Sequence, residues 1–480
     1  MNLNVFLKNN KGFTLIELLS FIIILSIIAV VTVPELLGVL DEAKLDSAHD
    51  SAYGYKRALQ DFSIKGVNFD NDVLFGSFTV DELKNMGLET VGHNPDGGIV
   101  LIDKEGISGC LQYNEYISIL YNDDVINTVK GVCPKEKLVT SGDGLYKSEI
   151  DKGRFIYRGS EPNNWILLDE DGDGLNETLY RIISYEPDGT IKVIRDERIS
   201  VNDITLTGST SYDVKWDVSV GDTNWTTRDS ADNTYCNYGS GNSYYGCNAW
   251  SNQNNTLYND SSLIKLSRNF YYEYYESHIA NVLTSNFVSG GTVKSESSLN
   301  IFLNSKIKNS DSSWQPALYL DKYIEKHSFN VSGPSYWDIY ESEGGKDKGL
   351  DKEKYEESLL TWNGKIGLFN ITEYVESSIN PDCTSVFSNY YYNSNHNDWP
   401  CSSNDNWMKK ASYNQEFLSP YSYGRDSVWY VHNLGYFDVC YVNSSYGVRP
   451  VFYLKSDIKL SGNGNYDIST SEGTPYEIIG

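Results

Sequence analysis

The chain reads as an α+β protein: a long N-terminal helix packed on a small antiparallel sheet, then a large β-rich part with few helices. Three observations carry this expectation. An almost uninterrupted apolar run covers Ser20 to Val33, and beyond Pro34 the residues Leu45, Ala48, Ala52, Tyr55, Leu59 and Phe62 recur at alternating spacings of three and four. From Gly98 onward, short runs of β-branched and aromatic residues alternate with turn signals. Tyr (38) and Trp (10) are abundant among the 480 residues and Met (3) is scarce, a composition that suits an extracellular β-rich protein with polar loops.

The first element is one helix from about residue 13 to 65, apolar all round in its first half and amphipathic in its second, with Gly66 as its stop. Its stripe should pack on a sheet. The strands expected for that sheet are Gly98–Asp103, Cys110–Tyr116 and Ile117–Tyr121, introduced by the turn Pro95-Asp96-Gly97-Gly98. Residues 80–87 read as a short helix ended by Gly87. Composition shifts at Ser141-Gly142-Asp143-Gly144, so a compact lobe over 41–140 should give way to a second domain over 145–480. That domain is expected to hold strands at Phe155–Arg158, Trp165–Leu168, Leu179–Tyr185, Ile191–Arg195 and Val448–Leu454. Ser262–Thr284 and Lys352–Leu360 are its best helix candidates, and no fixed-period repeat is present.

The N-terminal segment carries the sharpest functional signal. Residues 1–12 contain Lys8 and Lys11 and no acid, which favours keeping this end in the cytoplasm. Glu17 lies inside a membrane-length apolar segment, where an ionisable group is costly and therefore a functional hypothesis by default. The stretch Lys11-Gly12-Phe13-Thr14-Leu15-Ile16-Glu17-Leu18-Leu19 resembles the processing and methylation signal of type IV prepilins and pseudopilins, over about residues 8–40. The resemblance implies that a prepilin peptidase removes leader 1–12 after Gly12 and that Phe13 becomes the N-methylated terminus. It also implies that 13–40 forms the transmembrane and filament-core helix, and that Glu17 pairs with the N-terminal amine of a neighbouring subunit. Pro34 falls where many type IV pilins carry a helix-bending proline.

A net charge of −26 disfavours binding of nucleic acid through a basic groove. The seven cysteines all lie beyond the apolar segment, where an oxidising location allows disulfides. The economical local pairing is Cys110–Cys133, Cys236–Cys247 and Cys383–Cys401, leaving Cys440 as a buried thiol. No Cys-x-x-Cys occurs.

The second part resembles an uncharacterised domain of Gram-positive surface proteins. The segments that carry the likeness are Gly159–Ile166, Tyr180–Ser184, Pro187–Arg195, Gly364–Leu368 and Gly447–Val451 with Tyr453–Ser456. The Arg-Pro strand near the C-terminus also invites comparison with C-type-lectin-like folds. Asp169, Asp171 and Asp173 with Gly174 match the start of a calcium loop, in which alternate oxygens surround a hard cation, and Glu177 could supply a further ligand. Tyr180 stands where the bidentate Glu belongs, and an acidic hairpin tip is the competing reading. Phe270–Tyr275, Tyr390–Tyr392, Tyr244-Tyr245 and the set Trp399, Trp407 and Trp429 offer possible stacking faces for sugars, although such aromatics more often serve packing. The six histidines are scattered, and no hydrolase elbow, zinc motif or phosphate loop occurs, so an enzyme is not expected.

These readings combine into a type IV pilin-like filament subunit, a minor or tip pilin presenting a large domain for adhesion. Its expected partners are other pilin subunits, prepilin peptidase, the membrane before assembly, and a host or environmental surface ligand. It would start as a single-pass protein of the cytoplasmic membrane and end on the cell surface. The rivals are a pseudopilin of a type II secretion or DNA-uptake machine, and a pilus-displayed enzyme acting on glycans.

Overall fold

The computed structural model describes residues 14–65, 74–198 apart from 91 and 170–177, and beyond those chiefly 322–330, 366–380, 405–420, 427–441 and 449–479, with isolated short strands between. Helix α1 (Leu15–Lys65) runs without a break through Pro34, whose ring nitrogen cannot donate to the Val30 carbonyl. Gly66 lies outside the described residues. All six residues of the expected stripe face one core: Ala48, Ala52, Tyr55 and Leu59 are buried, with Leu45 and Phe62 at the margin.

They pack on a five-stranded antiparallel sheet in sequential order, β1 (Gly76–Thr79), β2 (Gly97–Asp103), β3 (Gly106–Tyr113), β4 (Tyr116–Tyr121) and β5 (Asp124–Lys130). Strands β1 and β5 go beyond the three expected. The expected strand Cys110–Tyr116 is instead broken at Asn114-Glu115. Asn114 takes φ +51 and its N–H donates to Asp96 at 2.6 Å, so a tight turn replaces continuous chain. Asn122 and Asp123, both at positive φ, close the β4–β5 hairpin. Helix α2 (Val80–Asn85) is shorter than residues 80–87 and begins with a capping box between Thr79 and Glu82.

The second part is built around a ten-stranded sheet. Strand β6 (Gly144–Lys147) pairs with β7 (Phe155–Arg158), which joins β9 (Thr178–Tyr185). Strand β9 lies between β8 (Trp165–Leu168) and β10 (Ile191–Arg195). Val451–Leu454 covers β10, and Tyr476–Ile478 pairs with β8 in parallel. The expected strand Val448–Leu454 begins only at Val451, after Pro450, whose carbonyl accepts from Arg195 N–H at 3.0 Å. The helix candidates 262–284 and 352–360 lie outside the described residues, whereas Ile371–Glu376 forms a short helix that the sequence reading did not anticipate.

The two sheets share a core. Side chains of β2–β4 alternate, so Val100, Ile102 and Leu120 face α1 while Ile99, Leu101, Ile117 and Ile119 join Phe155, Ile156 and Ile191 on the opposite side. The β9–β10 turn sits against the end of β5. Gly189 takes φ +88 there, and a Cβ at that position would stand 2.1 Å from the Lys130 carbonyl. Asn127 Nδ2 donates to the Pro187 carbonyl at 2.7 Å across the same contact.

Candidate functional site

The start of α1 is held by Thr14 and Glu17. Glu17 Oε2 accepts from Thr14 N–H at 2.9 Å and from Thr14 Oγ1 at 2.8 Å, and Glu17 N–H donates back to Thr14 Oγ1 at 3.3 Å. This capping box satisfies N–H groups that a helix start otherwise leaves open. Thr14 joins Glu17 as a residue of this start, and Thr-x-x-Glu before an apolar run is its signal in the sequence. Farther along, Ser20, Ser26 and Thr32 each donate to the carbonyl four residues back, at 2.7 to 2.8 Å. Their hydroxyls therefore ask nothing of the surroundings.

The remaining surface of this half-helix is apolar and uncovered: Leu15 is 86% exposed and Leu40 is 56% exposed. At about 1.5 Å per residue, Leu15–Leu40 extends roughly 38 Å, enough to cross a hydrocarbon layer of about 30 Å. Lys130–Asp41 (2.8 Å) and Lys44–Glu115 (2.9 Å) then tie the helix to the sheet where the apolar stretch ends. Residues 7–33 match the family described as the prokaryotic N-terminal methylation motif. The chain carries a prepilin-type signal. This methylation motif includes Gly12 and Phe13, which lie outside the described residues, and Glu17; Pro34 follows directly after it. No curated protein and no solved structure matches the chain.

Other expected sites have different outcomes. Cys110 in β3 is bonded to Cys133, just beyond β5. Cys383 is buried and disulfide-bonded, whereas Cys236, Cys247 and Cys401 lie outside the described residues. Cys440 falls within the strand Phe437–Tyr441. Of the calcium-loop residues, Asp169 is buried, and Asp171, Asp173 and Glu177 lie outside the described residues. Leu168 pairs with Thr178 where antiparallel β8 and β9 meet, and Tyr180 is buried with its ring against Phe452.

Two of the aromatic candidates are corrected. Trp407 and Trp429 are each only 4% exposed and offer no face to a sugar. Trp407 Nε1 donates to the Tyr157 carbonyl at 3.0 Å while the Arg181 guanidinium lies over its ring. Trp399, Tyr244, Tyr245 and the runs 270–275 and 390–392 lie outside the described residues. His432 stacks on Tyr436 at 4.3 Å and accepts from Leu434 N–H, a turn-fixing arrangement.

Buried arginines join segments that are distant in the chain. Arg181 donates to Asn164 Oδ1 (2.7 Å) and the Pro162 carbonyl (3.1 Å) and lies over Trp165, joining Gly159–Ile166 to Tyr180–Ser184. Burial pulls its pKa down to about 10, so it remains a cation at neutral pH. Arg449 reaches the carbonyls of Arg195 and Met408 and the Gln415 amide oxygen at 2.8 to 3.0 Å.

A cleft of about 240 Å³ opens beside β7, β10 and the strand His327–Asn330. In its wall Arg154, only 2% exposed, donates to Glu186 (3.1 Å), Glu373 (3.0 Å) and Asp151 (3.0 Å). Burial opposes its charge, but these carboxylates outweigh burial and raise its pKa. Lys192 Nζ also bonds Glu373, whose other oxygen accepts from Asn370 N–H at the start of Ile371–Glu376. His327 stacks on Tyr453 at 3.7 Å, and its Nε2 meets Asp188 at 2.7 Å.

Proposed function

We propose that the protein is a type IV pilin-like filament subunit, of minor or tip type, that presents its large second part outside the cell. The single observation that carries this reading is the methylation motif at residues 7–33, seated on a helix whose apolar surface is uncovered from Leu15 to Leu40. Before assembly that surface faces lipid; afterwards it packs against the helices of neighbouring subunits, and Glu17 exchanges its Thr14 partners for a neighbour's N-terminal amine. The neutralisation matters because an unpaired carboxylate in an apolar filament core is costly. A bulky second part suits a position at a tip or at sparse sites along a shaft, and adhesion is the role we assign to it.

A pseudopilin of a secretion or DNA-uptake machine would carry the same signal. Immunogold labelling against residues 145–480 separates the two. Surface fibres carrying the label support the pilin reading. An unlabelled surface, together with lost secretion or transformation in a deletion strain, assigns the chain to the machine instead.

A further inference from the structure

The cleft beside Arg154 has a chemistry that the filament reading does not use. From the ion pairs already made in its wall and the groups at its mouth, we infer that it binds a neutral pyranose unit. The carboxylates of Asp151, Glu186 and Glu373 contact Arg154, Glu376 stands behind them at 3.9 Å, and Asp188 holds His327. Against them stand the cations Arg154 and Lys192 in the wall and Lys152 at the mouth. His327 joins these cations, because both its ring nitrogens face acceptors, Asp188 at 2.7 Å and the Ser328 carbonyl at 3.1 Å. In the wall a charged ligand would have to break pairs that are already made and leave a buried partner uncompensated, which is costly. Lys152 takes no part in those pairs, but it is exposed, where an ion pair is worth little. An anion would also meet the field of a chain of net charge −26.

A ligand bearing hydroxyls escapes both penalties. Each hydroxyl can donate to a carboxylate lone pair and accept from an ammonium or amide N–H without displacing the existing partner. The mouth supplies such groups in Lys152, Ser328 and Asn330, and Asp151 and Glu186 stand half-buried beside them. Recognition here is by hydrogen bonds and not by stacking, since the Tyr453 ring is already covered by His327 at 3.7 Å. The volume of about 240 Å³ suits one sugar ring and not a chain of them, so the unit recognised is a terminal one. The site needs only the fold of the second part, and its failure would leave the filament reading untouched.

The test is saturation-transfer NMR on the full chain, solubilised in a detergent without a sugar headgroup. The probes are methyl glucoside, galactoside, mannoside and N-acetylglucosaminide, with glycine and putrescine as charged comparators. At least one pyranoside should receive saturation, and Asn330→Ala should weaken it about tenfold. Ser328→Trp, which fills the mouth from an exposed position, should abolish the transfer at an unchanged melting temperature. No transfer to any pyranoside, transfer undiminished in Ser328→Trp, or displacement of the sugar by glycine or putrescine would each overturn the assignment.

Discussion

His327 and Asp188 come from segments 139 residues apart, and their side chains meet at 2.7 Å on the rim of the Arg154 cleft. Each group sets the other's ionisation. Burial disfavours both charged forms, but the shared hydrogen bond outweighs it, raising His327 above its ordinary 6.5 and, with help from Thr190, holding Asp188 at about 2. The imidazolium therefore contributes stability in full below pH 6.5 and loses it as pH rises through its elevated folded value. The carboxylate contributes in full above pH 3.8 and loses it as pH falls through about 2. The stabilisation of wild type over His327→Gln should thus be flat between pH 3.8 and 6.5 and shrink on the alkaline side. A difference in melting temperature that grows above pH 7 would contradict the pairing.

Arg154 should be among the least replaceable residues of the second part. Removing it leaves Glu186, Glu373 and Asp151 without their common partner, so Arg154→Ala is expected to cost about 3–5 kcal/mol in urea denaturation. A loss below about 1 kcal/mol would mean that water reaches these carboxylates freely.

The bond between Cys110 and Cys133 closes a loop with a sequence separation of 23. In the chain-entropy account, opening such a loop costs about 3 kcal/mol. The double variant Cys110→Ser, Cys133→Ser should unfold at correspondingly lower urea, and added reductant should then have no further effect on this region.

At the N-terminus, Glu17→Ala should still be cut after Gly12 but enter filaments poorly, as read by immunoblots of membrane and sheared-fibre fractions. Thr14→Ala separates the local role of Glu17 from its role between subunits, since it removes the hydroxyl of the cap and leaves the carboxylate. Normal fibres from Glu17→Ala would remove the charge-pairing role altogether.

Calcium should raise the melting temperature of the wild-type chain, and Asp171→Ala should abolish the rise. Identical calorimetric responses to calcium and EGTA in the two proteins would leave the acidic loop as a plain hairpin tip.

Much of the first lobe was legible because local periodicity dictates it. The stripe from Leu45 to Phe62 needs only the helical repeat, and six of the chain's strands lie close to their expected limits. Asn114 hid a turn because it interrupts an apolar run with just two residues. The cleft was invisible for another reason: Arg154 and Glu373 are 219 residues apart, and nothing local to either announces the other. Partial signals did exist. Lys192 stands inside Ile-Lys-Val-Ile, an unusual place for a solvated charge, and Asn370-x-x-Glu373 is a helix-start pattern that would have located Ile371–Glu376.

The five-stranded sheet is buried on both faces, by α1 on one side and by the core of the second part on the other. Among the described residues, no swivel separates the sheet-bound half of α1 from the core of the second part. In the proposed filament, drag on the outer mass would therefore reach the sheet-bound half of α1 as torque.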